Sequence, residues 1–573
     1  MHQVGTGLDI SSLNIPTAPV VDLLTMRSPL IATACLLALA TTAAAQDSQA
    51  PTTGIASVFK GDNFLPPESA FRKVVLDEDR TVDGQVRDTL VDPMELAVAK
   101  DGRVFFVERK GTVKMLKPGA KEAVVVAEIP VFTGLEEGML GITLDPKFSE
   151  NGWVYLNHSL PETTTDNQGK VGTIRVSRFT LKNDKLDPES RVTIFDNVVQ
   201  REQCCHVGGS LAFDPKGNLF ISVGDNTNPF DSDGYSPNDP RPGRYPWDAQ
   251  RAPANADSLA GKILRIHPKP EGGYSIPEGN LFKPGTKGTR PEIYVMGNRN
   301  PFRISVDPAN GFLYWGEVGP DAGGPDAQRG PAGHDEINQA RGPGFFGWPY
   351  FVANNRPYAP VDYVARQKYL DGRRAYDEAR KKQEAVKKAN EVALKEGKPE
   401  AELPSLPPQP EAWMAKDFKP VFYDPARPIN DSVNNTGIRE LPPAQPAFIY
   451  YPASPSTKFP IVGSGGRTAM AGPVYHYDES LQSPNKLPKE FDRTLFIYEW
   501  TRDWIIAVKL DGNNQIAQMQ RFMPGTKFKR PMDLELGPDG CLYLIEFGTN
   551  WGDNKDSKIV RLEYAPQGTE PSK

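Results

Sequence analysis

Cys204, Cys205 and His206 stand consecutively at the head of the run CCHVGGSLAFDPKGNLFISVGD, so two thiols and an imidazole come just ahead of an apolar strand. An imidazole titrates near neutrality and can take a proton from a hydroxyl, which makes His206 the first candidate for a general base. If the adjacent cysteines pair, they close a strained eight-membered ring across one peptide bond. Such strain is tolerated where backbone must be held rigid beside chemistry.

Further along, the turn GNRNPF sets Arg299 and Asn300 just before the strand ISVD, at the same offset from a strand as His206. A base, a guanidinium and an amide could therefore share one pocket. The segment GEVGPDAGG…GHDEIN carries Gly319 and Pro320, whose carbonyls suit a hard cation such as calcium, together with the acids Asp321, Asp335 and Glu336. Glu136 in GLEEGMLG, Arg467 in GSGGRTAMAG, Arg502 in EWTRDW and Arg530 in KRPMDLELGPDG occupy similar junctions between loop and strand. Arginines there could clamp carboxylates bidentately.

Elements that would position these residues recur along the chain. An apolar strand, an Asp/Pro-x-Gly turn and a second apolar strand begin at Met94, Ile142, Leu211, Ile304 and Asp533, with a more diverged copy from Val474. Asp, Pro and Gly between two apolar runs make hairpins, and continuations such as GTVKML, KILRIHP and KIVRLEYA add further strands. About six units of three or four strands predict an all-β, six-bladed β-propeller. A large β-sandwich is the alternative.

The propeller is expected over residues 86–567, after a lead-in at 46–85. A helical and Pro-rich insertion falls at about 351–459, where RRAYDEARKKQEAVKKANEVALKEG has helical propensity and Gly397 and Pro399 stop it. A second insertion, Asn226 to Ser258, is a long loop rich in Asn, Asp, Pro and Gly. Loops of that kind often set substrate selectivity.

Met26 to Ala45 reads as a signal peptide, with Arg27 as its basic start, Leu30 to Ala40 as its apolar stretch and Ala43-Ala44-Ala45 as the cleavage motif. Residues 1–25 then precede the true start, and the location is periplasmic or secreted. The apolar run is shorter than the roughly 20 residues a bilayer requires, so no membrane span is expected after its removal. Cys204, Cys205 and Cys541 remain, in an oxidising compartment. A net charge of -6 excludes nucleic acid as an obvious partner.

Taken together, EEGMLG, the His-x-Gly-Gly-x-Leu block at His206, GNRNP, the sequence from EVGPD through DEIN to Pro349, and RPMDLELGPDG resemble the glucose/sorbosone dehydrogenase family. These are soluble quinoproteins that oxidise aldoses with pyrroloquinoline quinone (PQQ) on a six-bladed propeller. The resemblance implies that His206 takes the anomeric proton while hydride passes to the quinone, giving a lactone. It implies that Arg299 polarises the quinone carbonyl, and that Glu136, Asn300, Arg467, Arg502 and Arg530 contact cofactor or sugar. Gly319 and Pro320 would offer carbonyls to Ca2+, and a separate cytochrome or quinone would accept the electrons.

Three positions depart from the family pattern. Thr501 stands where a PQQ-binding lysine is expected, Met532 where a second arginine is, and Cys205 where the catalytic base has an acidic neighbour. A non-catalytic propeller binding carbohydrate or protein, and a calcium-dependent lactonase-like hydrolase, are the competing readings.

Overall fold

Each repeated Asp/Pro-x-Gly unit folds as the inner hairpin of an antiparallel sheet. In the unit beginning at Leu211, Asp214 accepts hydrogen bonds from the backbone of Lys216 and Asn218, both at 2.9 Å, and Gly217 takes φ 79°. The aspartate closes the turn and the glycine supplies its left-handed residue.

The computed structural model describes residues 63–566 except 88 and 412–418. The expected signal peptide, Met26 to Ala45, lies outside the described residues. Six sheets have four or more strands. Their innermost strands are Pro93–Val98, Met139–Leu144, Leu211–Phe213, Pro301–Val306, Ala469–Tyr475 and Pro531–Leu536, which we use to number blades 1 to 6. Every inner strand packs on the next and the sixth returns to the first, so the fold is a six-bladed β-propeller.

Residues read from sequence as a lead-in supply part of this ring. Phe71–Glu78 pairs antiparallel with Lys558–Tyr564 and forms the outer strand of blade 6. The chain thus closes its circle with a strand from before blade 1.

Arg303, on the inner strand of blade 4, reaches across the axis. Its Nη2 donates to the Met94 carbonyl at 2.6 Å and its Nε to the Met532 carbonyl at 3.1 Å, on blades 1 and 6. Asp533 lies 3.5 Å from the same guanidinium and accepts the backbone N–H of Leu96 at 2.8 Å. Glu95 completes the buried group, and Arg303 opposes the desolvation that raises both carboxyls. A buried charge needs such a partner.

Within the 351–459 insertion, Tyr363–Lys395 forms one long helix. Asp362 caps it by accepting from the backbone of Val364 and Ala365, and Gly397 ends it at φ 69°. Only Tyr363 and Arg366 are buried, so the helix is anchored at its first turn and otherwise solvated. Among the described residues no helix is long and apolar enough to cross a membrane.

Candidate active site

In a propeller whose inner strands run the same way, the loops entering those strands share one face and the Asp/Pro-x-Gly turns share the other. The entry loops of blades 2 to 6 carry Glu136, His206, Arg299 with Asn300, Arg467 and Arg530. Arg502 comes to the same face from the connection between the second and third strands of blade 5.

His206 is the centre of this face. Its backbone takes φ 65°, a conformation that costs a side-chain-bearing residue energy and needs support. The support is present: its N–H donates to Glu136 Oε2 at 2.6 Å, and its carbonyl accepts the N–H of Asn226 at 3.0 Å. On the side chain, Nδ1 lies 2.8 Å from Asp225 Oδ1. A carboxylate can only accept, so Nδ1 carries the proton and Nε2 presents its lone pair. Nε2 has no partner among the described residues.

Asp225 is itself fixed. Its Oδ2 accepts Trp348 Nε1–H at 2.8 Å, and its Oδ1 accepts the N–H of Thr227 at 2.9 Å. Gly224 makes the approach feasible, since a Cβ there would sit 2.4 Å from the carbonyl carbon of His206. The vicinal cysteines are joined as a disulfide, half-buried, directly before the histidine. Cys541 is a free, buried thiol donating to the Asn485 carbonyl at 3.2 Å.

A repeated device holds the entry loops. The second strands of blades 1, 4, 5 and 6 end in Glu108, Glu317, Glu499 and Glu546. Each accepts backbone N–H from the entry loop of its own blade, at Val91, at Arg299 and Asn300, at Thr468, and at Lys529. Blade 3 has Val223 at that strand end, and its carboxylate comes two residues later as Asp225. The acid that elsewhere caps backbone here grips the histidine.

Arg299 donates through Nη1 to the Val318 carbonyl at 3.0 Å, and its Nη2 is 3.3 Å from Asp321 Oδ2. Asn300 Oδ1 accepts the Gly208 N–H at 3.0 Å, which ties the arginine loop to the histidine loop. Burial raises the Glu317 carboxyl well above its ordinary range, and the charge of Glu336 adds to the effect.

The remaining cations divide by what they already hold. Arg467 donates to Asp335 Oδ1 at 3.0 Å and to the Pro320 carbonyl at 2.6 Å. The guanidinium of Arg502 is committed to the carbonyls of Pro452, Val462, Gly463, Gly465 and Gly466, and lies over the Tyr451 ring. It clamps a loop. Arg530 differs: it stacks on Trp500 at 4.2 Å and near Trp551 at 5.1 Å, and its buried Nη1 has no partner among the described residues. Thr501 bonds Thr468 through their hydroxyls at 2.7 Å, and the Met532 side chain joins the hydrophobic core.

Those contacts decide which cofactor the residues fit. An orphaned guanidinium N–H beside two indoles suits a planar, carboxylate-bearing molecule such as PQQ. Calcium fits less well, because the Pro320 carbonyl already bonds a cation. As arranged, Gly319 and Pro320 do not compose a calcium site.

Asp225, Gly224 and Trp348 were not singled out from sequence. Aligning the ends of the second strands would have exposed Asp225, the acid out of step in blade 3. Among the described residues each other histidine bonds one neighbour, His158 to Ser177, His267 to Asn218, His334 to the Ala332 carbonyl and His476 to Asp307, while His158 Nδ1 is buried without a partner. A cavity of about 830 Å³ between blades 1 and 6 contains none of the site residues.

A buried histidine oriented by a carboxylate shares one face of a six-bladed propeller with Arg299, Arg467 and Arg530. The family model for glucose/sorbosone dehydrogenases matches residues 90–375, and the chain belongs to that family. An aldose sugar dehydrogenase of Escherichia coli (strain K12) is 28% identical over 290 residues, covering 50% of this chain and 67% of that protein. Quinoprotein glucose dehydrogenase B of Acinetobacter calcoaceticus is 22% identical over 475 residues, or 82% of this chain and 85% of its own. A solved structure from Thermus thermophilus, described as a glucose dehydrogenase, superposes with TM-score 0.50 at 19% identity, covering 86% of this chain and 99% of its own. That last likeness concerns the fold.

Proposed function

We propose that this protein is a PQQ-dependent aldose dehydrogenase that oxidises the anomeric hydroxyl to a lactone. The observation that carries the reading is the His206 and Asp225 pair at 2.8 Å, with Nε2 left unpartnered, on the face that also bears Arg299 and Arg530. The relatives named as aldose and quinoprotein glucose dehydrogenases support it.

PQQ, when bound, supplies the two-electron acceptor that the chain's own side chains lack. His206 Nε2 takes the proton of the anomeric hydroxyl, and Asp225 stabilises the imidazolium that results. Arg299 would polarise the quinone carbonyl and stabilise the negative charge that develops on it. Asn300 fixes the Arg299 loop against the His206 loop, and Glu136 holds the His206 backbone. Arg530 would pair a cofactor carboxylate through its unpartnered Nη1, and Arg467 holds the Pro320 segment in place. No step runs through calcium, whose proposed carbonyl at Pro320 is bonded to Arg467.

We further propose export to the periplasm or beyond, on the strength of the Met26 to Ala45 segment and of a disulfide that suits an oxidising compartment. A separate cytochrome or quinone then takes the electrons.

The test is dye reduction by the mature chain loaded with PQQ, across a panel of aldoses, beside His206→Asn and a PQQ-free control. Aldose-dependent turnover that needs PQQ and is lost in the variant is expected. Equal dye reduction by the variant would overturn the assignment of His206.

A further inference from the structure

We propose that Lys262 is a positioning residue for the reaction: its buried ammonium balances Asp225 and so keeps His206 free to accept a proton. This rests on the aldose dehydrogenase reading above.

The sheet register sets Lys262 between the two parts of the site. It opens the third strand of blade 3, Lys262–Pro268, and pairs with Val223 on one side and Met296 on the other. The strand ending at Val223 runs on to Asp225, and the strand ending at Met296 runs on to Arg299. The backbone is tied together at the same level. Gly261 N–H donates to the Gly224 carbonyl at 2.8 Å, Asn298 N–H to the Gly261 carbonyl at 3.2 Å, and Asp225 N–H to the Arg299 carbonyl at 2.8 Å.

The Lys262 side chain is fully buried, and Nζ donates to the carbonyls of Ala252 at 2.6 Å, Ala260 at 2.9 Å and Pro253 at 3.2 Å. An amine has two N–H groups and an ammonium three, so three acceptors select the charged form. The Pro253 carbonyl also accepts the Gly297 N–H at 3.1 Å, which joins this cation to the turn bearing Arg299. An ammonium out of water is costly. Burial pulls Lys262 well below the ordinary lysine range, and the charge that opposes the fall is Asp225. Because Nζ spends its hydrogen bonds on carbonyls, it acts on that carboxylate through its field.

A charge balance shows what that field does. A carboxylate held against Nδ1 favours the imidazolium, and a histidine that already carries its second proton is no base. With Asp225 negative, His206 neutral and Lys262 positive, the resting group has no net charge, and it becomes a cation when the substrate proton arrives. Without Lys262 the group would pass from anion to neutral, so the imidazolium would form too readily and keep its proton. The other charges around the pair have partners of their own. Arg251, from the insertion, donates to the Asn226 and Tyr245 carbonyls. Arg299 faces the Val318 carbonyl and Asp321, and Glu136 accepts the His206 backbone. Lys262 is thus the cation left to balance Asp225.

The experiment records kcat/KM against pH for the full chain loaded with PQQ, on the aldose it oxidises fastest, in the wild type and in Lys262→Met, Lys262→Gln and Lys262→Arg. NMR of the PQQ-free chains accompanies it. It follows the His206 imidazole, assigned with His206→Asn, and the Lys262 Cε resonance, identified by its absence from Lys262→Arg. Loss of the cation should move the rising limb of the profile to higher pH by at least about half a unit in the Met and Gln variants, and the imidazole midpoint with it. Gln keeps N–H donors for the carbonyls, so a shift common to both variants reports charge and not packing. Arg keeps donors and charge, and should hold the wild-type limb. In the wild type near neutral pH, Cε should show the ammonium form; the amine form would overturn the proposal even if no variant folds. A limb that coincides with the wild type in both variants, or moves in Lys262→Met alone, would overturn it and leave the dehydrogenase reading intact. Conversely, a shifted imidazole midpoint with no aldose oxidised would keep the role of Lys262 and sink the dehydrogenase reading.

Discussion

His206 Nδ1 and Asp225 Oδ1 are 2.8 Å apart, and the glycine between Asp225 and its strand is what lets them meet. The pair sets both tautomer and direction of the imidazole, since the carboxylate accepts from Nδ1 and turns Nε2 outward. Asp225→Asn could donate to Nδ1 and so favour the wrong tautomer. Its expected effect is a fall in kcat of about 10²–10⁴ with KM little changed, read by steady-state dye reduction. An unchanged kcat would remove Asp225 from the mechanism.

Arg530 and Arg502 make a discriminating pair, because both are arginines on the same face and only one has a buried donor without a partner. Arg530→Ala should weaken PQQ by about 10–100-fold in calorimetry, the worth of one charged hydrogen bond in a dry site. Arg502→Ala should lower the melting temperature instead, since five carbonyls lose their donor, and leave PQQ affinity within about twofold. The reverse pattern would restore Arg502 as the cofactor residue.

The axial guanidinium of Arg303 is the counter-charge for Glu95 and Asp533. Arg303→Met keeps much of the volume and strands two buried carboxyls. We expect a loss of about 3–5 kcal/mol in unfolding free energy, measured by denaturant titration. A loss below about 1 kcal/mol would mean that the centre of the ring tolerates unpaired acid.

Burial, reinforced by the charge of Asp335, pushes the Glu499 carboxyl up from 4.5 to about 8. For a carboxyl raised by folding, the stabilising contribution is complete below the unfolded value and disappears as pH rises through the folded one. Glu336, raised to about 7 chiefly by burial, acts in the same sense. The melting temperature should therefore decline between about pH 5 and pH 8, and Glu499→Gln should flatten that decline. A variant whose pH profile parallels the wild type would show that Glu499 ionises normally.

Hairpin repeats were legible because a turn rich in Asp, Pro and Gly leaves a local signature at every blade. Residues at equal offsets before the inner strands were legible for the same reason, which is how His206, Arg299 and Arg530 could be named. What escaped was set by contacts between distant elements. Asp225 reaches its histidine only because blade 3 bends after Val223, and Trp348 comes to it from 123 positions away. The contacts of Arg502 were hidden in another way: its charge was visible, while the five carbonyls that absorb it belong to a loop whose path no local pattern reveals. The strand at Phe71–Glu78 was hidden because its partner lies at the far end of the chain.

That strand also orders the protein's birth in time. Glu78 and its ion-pair partner Lys558 are 480 positions apart, so a strand made early is the last to find its neighbour. Five blades can assemble as the chain emerges, while the sixth waits with an unpaired edge until its remaining strands arrive. The ring is a clasp that only a finished chain can fasten, and any interruption of synthesis or transport leaves an open arc.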